Sequence, residues 1–149
     1  MRRRSRLAGG DDGVAMLEFI VLAVCLAVPL AYLLLAVFDV QRAAYGASSA
    51  TREAARVFVL SSSTADAERN AQAAAQVALA DHGLSLSDGE FTISCSASPC
   101  LTPGGTVRIS FRTVVALPMV PAFADRGLVS MPVMASHTQT VDVYSDLRP

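Results

Sequence analysis

The chain has 149 residues, a formal net charge of −1 and 52% hydrophobic residues. This length corresponds to about one domain. The near-zero net charge excludes the strong positive field with which nucleic-acid-binding domains attract phosphate, so we expect no nucleic-acid partner.

The N-terminal region has the pattern of a membrane-inserted segment. Residues 1–13 contain four arginines, and residues 19–38 then contain no charged side chain. About 20 apolar residues are what a helix needs to span a bilayer, and the arginines hold the preceding end in the cytoplasm. Secretory signals have a shorter apolar region, so we expect this one to be retained. The sequence predicts a single-pass protein of the plasma (inner) membrane with an extracytoplasmic C-terminal part.

The helical pattern continues beyond the apolar segment, because small or apolar residues recur every three or four positions as far as residue 58. We expect one long helix over residues 14–59, roughly 70 Å in length, with the membrane around its first half, about residues 19–38. Pro29 removes one backbone hydrogen bond and should bend or loosen this helix. Cys25 is most simply an apolar residue of the span, with lipid attachment as the alternative.

Gly13 and Glu18 form a second pattern at the inner edge of the span. A carboxylate costs about 2.5–3.5 kcal/mol at the centre of a span and less near its edge, so Glu18 is affordable in a plain anchor. Alternatively, cleavage after Gly13 creates a new ammonium group at Val14. Glu18, one helical turn further on, would then neutralise such an ammonium inside apolar packing, most usefully that of a neighbouring subunit.

This arrangement resembles the processing site of type IV pilins and pseudopilins. The stretch MLEF at residues 16–19 is similar to the V-E-F signature of TadE-like proteins, the pseudopilins of the tight-adherence (Flp-type) pilus. The stretch ATREAAR at residues 50–56 resembles the A-x-R-E-A-A-R stretch of the same family. The resemblance covers the first sixty residues.

The resemblance implies a minor pilin that a prepilin peptidase cleaves between Gly13 and Val14. Residues 1–13 would be the cytoplasmic leader, and Glu18 would pair with the new N-terminus during assembly. The implied partners are the peptidase, other pilin or pseudopilin subunits and inner-membrane assembly proteins. The extracellular pilus is then a further location.

Residues 60–149 are predicted to form an exported α+β domain. Serines at 61–63 supply helix caps, and a helix over residues 65–82 ends at Gly83. The hydrophobic period then changes to two, which indicates strands around residues 91–95, 107–112 and 133–144. The predicted fold class is therefore α+β: a long N-terminal transmembrane helix, a second helix and a small antiparallel sheet of about three strands, covered on one face by helix.

Cys95 and Cys100 flank the first strand connection. In an exported domain we expect them to form a disulfide, and their spacing is not the C-x-x-C of redox motifs. A zinc site would need two further ligands, and His82 and His137 lie in unrelated patterns, so no metal or cofactor is expected. We expect His82 to cap the second helix and His137 to make an ordinary polar contact.

Two segments leave alternatives open. The connection over residues 118–132 is unusually apolar, and it either folds back on the sheet or forms a docking patch for another subunit. The charged residues Arg52, Glu53 and Arg56 form either a solvated helix face or a set of partner contacts.

Enzyme chemistry is not expected. The sequence has no Ser, His and acid set in a recognisable elbow, no phosphate-binding glycine loop and no grid of metal ligands. The rival to the pilin interpretation is an uncleaved, single-pass, membrane-anchored extracytoplasmic domain with a binding or structural role.

Overall fold

A computed structural model describes the chain over residues 11–116 and 130–144. It confirms the predicted α+β class, with a long apolar N-terminal helix, a second helix and a three-stranded antiparallel sheet. In chain order the elements are α1 (Asp11–Leu60), α2 (Thr64–Ala80), a 3₁₀ turn (Leu86–Asp88), β1 (Gly89–Cys95), β2 (Thr106–Ala116) and β3 (Ser130–Thr140). The chain divides into two compact units, Met1–Ala36 and Val37–Pro149.

In the first unit, α1 carries apolar side chains that the described part of the chain leaves exposed. Phe19 and Leu26, for example, are each 70% exposed. The helix is long and apolar enough to cross a membrane, which is compatible with a membrane anchor. It begins at Asp11 rather than at residue 14, the expected start.

In the second unit, α1 contributes an inner face that consists almost entirely of alanine. The small side chains recur every three or four residues, as one stripe of a helix requires. Thr51 belongs to this face, and its hydroxyl is satisfied by donating to the carbonyl of Ala47 at 3.0 Å. The apolar members, each at most 3% exposed, are Ala43, Ala47, Ala50, Ala54, Ala55 and Phe58.

Helix α2 begins where the serines predicted it. Ser63 is the N-cap, and its side-chain oxygen accepts from the backbone N–H of Asp66 at 3.2 Å. The Ser63 hydroxyl donates to the Asp66 carboxylate at 2.7 Å, and Arg69 is paired with the same group. The hydrogen bond from Ser63, and next the charge of Arg69, hold the pKa of Asp66 below its ordinary value. Carboxylates in a first turn also suit the helix dipole.

The end of α2 lies slightly before the predicted position. The helix stops at Ala80, and the turn that follows ends at Gly83, whose φ of +67° is in the left-handed region that favours glycine. The N–H of Leu84 donates to the carbonyl of Leu79 at 3.0 Å, the pairing of a Schellman motif. Gly83 therefore terminates the helix as expected, and His82 lies in the closing turn.

The sheet has the order β1-β2-β3, and both pairs are antiparallel. Phe91, Phe111 and Ala135 lie side by side across it, and their side chains belong to the face that packs on the core. The central strand contributes the most deeply buried of these residues, Val107, Ile109 and Phe111. They share one core with the inner faces of both helices, so helix covers one face of the sheet, as predicted.

The third strand is shorter than its period of two suggested. It ends at Thr140, not at residue 144, because the chain turns there. Val141 is still buried, and its N–H donates to the carbonyl of Gly105 at 2.8 Å. Most of the apolar connection at residues 118–132 lies outside the described residues, and only 130–132 belong to β3.

Candidate processing and assembly site

The residues singled out for processing lie at the beginning of α1. Gly13 and Val14 belong to its first described turn, and no helical acceptor for their backbone N–H groups lies within Asp11–Leu60. A peptide bond must leave the helix before a peptidase can bind it in extended form. The bond between Gly13 and Val14 is therefore in the part of α1 that unwinds at least cost.

Val14 and Glu18 are one helical turn apart, about 6 Å along the axis. Both side chains are exposed, with Val14 at 64%. Among the described residues, no hydrogen bond or ion pair involves the Glu18 carboxylate. Residues 14–38 contain no arginine or lysine. A positive partner for Glu18 must therefore come from the leader, from a newly made N-terminus or from another molecule.

The surface around Glu18 is apolar on every side of the helix. Consecutive residues point in directions about 100° apart, and exposed Met16, Leu17 and Phe19 are followed by further apolar residues to Phe38. A helix that is apolar all round lies in a membrane or inside a larger assembly. Pro29 lies within α1, where it was expected.

The ATREAAR stretch at residues 50–56 has two different faces. Its alanines and threonine are buried in the core of the second unit, whereas Arg52, Glu53 and Arg56 are exposed. Glu53 and Arg56 are 3.8 Å apart on the helix surface. Such exposed pairs contribute only a few tenths of a kcal/mol, about 0.3–0.5. The small residues of this stretch thus hold the fold, and the charged ones are available for solvent or a partner.

A shallow groove of about 870 Å³ lies between α1 and α2 in the second unit. The groove is lined by exposed Tyr45 and Val77 together with smaller residues. Charged or titratable groups are contributed by Arg52, Asp81 and His82. Sequence patterns did not reveal this groove. Gly46, the single glycine of the second half of α1, lies at a close approach to the turn after α2, because a Cβ there would be 2.8 Å from the Cβ of His82.

The cysteine pair is joined in the structure. Cys95 ends β1, and its sulfur is bonded to that of Cys100 with the two Cα atoms 5.3 Å apart. Cys25 is unpaired and exposed on α1. His137 lies opposite Ile109 in the sheet, and His82 packs beside Gly46. Within residues 11–116 and 130–144, no three His, Cys, Asp or Glu side chains are grouped closely enough to hold a metal ion.

The structure therefore brings Gly13, Val14 and Glu18 together at the start of one helix and the two cysteines together at the end of a strand. At the start of the helix, Glu18 can pair with one positive group and later with another. The apolar surface of the helix around it can pack against lipid or other helices. No protein-family model, curated protein or solved structure matches the chain.

Proposed function

We propose that this chain is a TadE-like pseudopilin, a minor pilin that a prepilin peptidase cleaves between Gly13 and Val14. After cleavage it acts in the assembly of a tight-adherence pilus or of a related secretion machine. One observation carries the proposal. Glu18 lies on a stretch of helix that is apolar all round, and residues 14–38 contain no basic side chain that could pair with it. It also follows by one helical turn the residue at which cleavage would create an ammonium group.

The physical role of Glu18 follows from the cost of burying charge. A lone carboxylate in an apolar assembly is strongly disfavoured, whereas a carboxylate paired with an ammonium is tolerated. Before cleavage, the arginine-rich leader keeps the edge of the span at the cytoplasmic surface. After cleavage, the ammonium of Val14 pairs with Glu18 of a neighbouring subunit. This pairing fixes the axial position of one helix against the next, since any other offset leaves both charges buried and unpaired.

In this proposal the chain inserts in the inner membrane with residues 1–13 in the cytoplasm and its C-terminal domain outside. The disulfide between Cys95 and Cys100 suits that side of the membrane, because exported domains fold in an oxidising compartment. The partners are the peptidase, other pilin subunits and inner-membrane assembly proteins. The chain is a substrate of the peptidase and contributes packing, not catalysis.

The first test is the N-terminus of the mature protein. Mass spectrometry of the full chain, purified from its native host, should find a polypeptide that begins at Val14. Gly13→Val should abolish the cut, and Gly10→Val should leave it unchanged. A functional protein that still begins at Met1 would contradict the proposal and favour the uncleaved, membrane-anchored domain.

The second test separates cleavage from assembly. Glu18→Ala and Glu18→Gln should leave membrane insertion intact but remove the protein from sheared pili or from the assembled complex. Glu18→Asp should retain part of the incorporation, because it keeps the charge. Glu68→Ala is the matched control, since it removes an exposed carboxylate from α2. Normal incorporation of Glu18→Ala would refute the pairing.

A further inference from the structure

The outer edge of β3 presents backbone hydrogen-bonding groups that point away from the sheet. Val141, just after the strand, donates its N–H to Gly105, on the side of β2. In an antiparallel strand the N–H and C=O of one residue point to the same side, and successive residues alternate. Odd-numbered residues of β3 therefore face β2. Even-numbered ones, Met134, Ser136, Thr138 and Thr140, direct their backbone groups outward.

Pro132 agrees with this assignment. It lies within β3 at an even-numbered position, so the N–H that proline lacks would point to the outer edge and not to β2. Proline is found in sheets at positions of this kind, where no ladder hydrogen bond is lost. The usable outer edge then runs from residue 134 to residue 140.

From residue 134 to residue 140 this edge carries no charged side chain, no proline and no bulge, the features that usually prevent pairing. Residues 130–140 contain no Asp, Glu, Lys or Arg, and their register with β2 runs without a bulge. Among the described residues, no hydrogen bond reaches the outward groups of β3. Long uncharged edges of this kind are templates for another strand.

The other edge of the sheet, on β1, has matching properties. Ser96 donates to Thr106 at 2.9 Å, which places the even-numbered residues of β1 on the side of β2. The backbone groups of Phe91, Ile93 and Cys95 therefore point outward. Phe91 and Ile93 are also only partly buried, although their side chains are on the core face. An added strand on this edge would cover the remaining apolar surface.

We propose that β3 of one copy pairs with β1 of the next copy, in parallel, so that the two sheets form one continuous sheet. Both strands are antiparallel to β2 and so run in the same direction. With Ser136 opposite Thr92 of the next copy, the N–H of Ser136 donates to the carbonyl of Phe91 and its carbonyl accepts from Ile93. These are the slanted bonds of a parallel pair.

The side chains agree with this register on both faces of the sheet. On the core face, small Ala135 lies beside bulky Phe91 of the next copy. On the open face, the hydroxyl of Ser136 lies opposite that of Thr92 of the next copy, and Glu90 of the next copy lies opposite Met134. Arg112 donates to the sulfur of Met134 at 3.5 Å, so the carboxylate of one copy approaches a guanidinium of the other. The charges are complementary across the contact.

This contact is head-to-tail, so it can repeat from copy to copy without closing. Parallel pairing also keeps neighbouring copies in one orientation, the relation that copies inserted in the same membrane have. The inference deepens the proposed function by naming how exported domains meet, and it does not depend on cleavage of the leader. Its failure would leave the N-terminal test unaffected.

Thiol cross-linking of the full chain in membranes tests the contact. In a Cys25→Ser background, a short bismaleimide should convert the Thr92→Cys, Ser136→Cys double variant into a ladder of dimers, trimers and longer species. Each single variant should stay monomeric. Ser87→Cys combined with Ser136→Cys is the matched control, because Ser87 is exposed but lies in the 3₁₀ turn that precedes β1. Absence of the ladder, or dimers from Ser136→Cys alone, would overturn the proposal, the latter in favour of two-fold pairing between β3 strands.

A backbone variant tests the hydrogen bonds themselves. Thr138→Pro, in the cross-linking background, removes one outward N–H and leaves the bonds to β2 in place, so the ladder should fall at least tenfold. Thr138→Val keeps the N–H and should retain the ladder. Amide exchange in β2 should be equal in the two variants, which shows that both are folded. If Thr138→Pro perturbs β2, Thr138→Lys replaces it, because a lysine on an edge blocks pairing without removing a bond. An undiminished ladder in the folded variant would refute strand pairing.

Discussion

Gly46 offers a test in which helix propensity and packing predict opposite signs. On propensity alone, Gly46→Ala should stabilise α1 by about 0.8–1.0 kcal/mol, since glycine in a helix interior is costly. In the folded protein, however, a Cβ at this position would lie 2.8 Å from the Cβ of His82 and 3.2 Å from a methyl carbon of Leu84. These are closer than ordinary van der Waals contacts.

The size of the effect follows from these distances. The nearest atom is the Cβ of His82, which is fixed to the backbone of the turn after α2 and has no rotamer by which to move away. Either the turn or the helix must shift, and overpacking of this kind costs about 1–3 kcal/mol. After the propensity gain is subtracted, Gly46→Ala should destabilise the second unit by roughly 0–2 kcal/mol. Gly46→Val should cost more, because it adds two further methyl groups at the same contact.

Hydrogen exchange measured by mass spectrometry on the full chain in detergent is the appropriate assay. Peptides from β2 report the second unit alone, without the signal of the apolar first half of α1. A loss of 1.4 kcal/mol speeds exchange about tenfold when exchange requires global opening. Ser49→Ala is the control, since it improves propensity at an exposed position of the same helix. If Gly46→Ala slows exchange as Ser49→Ala should, the close approach of α1 to His82 is refuted.

Three further outcomes are expected. Phe58→Ala removes a fully buried side chain and should lower the free energy of unfolding by about 3–5 kcal/mol in the same exchange assay. Leu60→Ala, at a 55% exposed residue, should lower it little. Equal losses would refute the assigned core. Replacing both Cys95 and Cys100 by alanine should lower stability by about 2 kcal/mol in a urea series, because the closed loop is short; no loss would contradict this estimate. The pKa of Asp66 is held below its ordinary value of 3.8, so its stabilising effect is complete above that pH and is lost as the pH falls through the lower folded value. Acid should therefore lower the protection factors of the α2 amides less in Asp66→Asn than in the parent chain, and identical acid profiles of the protection factors would exclude this role.

Much of the fold was predictable because its signals are local. The serine cap and Gly83 bound α2 to within one or two residues, and the period of two identified all three strands. The ends were less predictable. Apolar and polar residues still alternate past Thr140 at Val141 and Val143, but Val143 is 62% exposed, since the chain has already left the ladder.

The candidate site divides in the same way. Glu18 and Gly13 could be identified from the sequence, because their meaning depends on position relative to an apolar segment. The groove and the contact between Gly46 and His82 could not, since the two residues are separated in the chain and meet only through packing. The direction of each N–H on β3 also requires the register, because a shift of one residue would exchange the inner and outer sets.

The alanine face of α1 has a consequence for how this protein can change over evolutionary time. A core usually absorbs mutation by exchanging one bulky side chain for another of similar volume. Between Ala43 and Ala55 the buried positions other than Gly46 and Thr51 already carry the smallest side chain that still has a Cβ, so there is almost no volume to trade. Divergence at this interface must come from the strands, because the buried face of α2 is also mostly alanine, with Ala67, Ala71 and Ala75 beside Leu79.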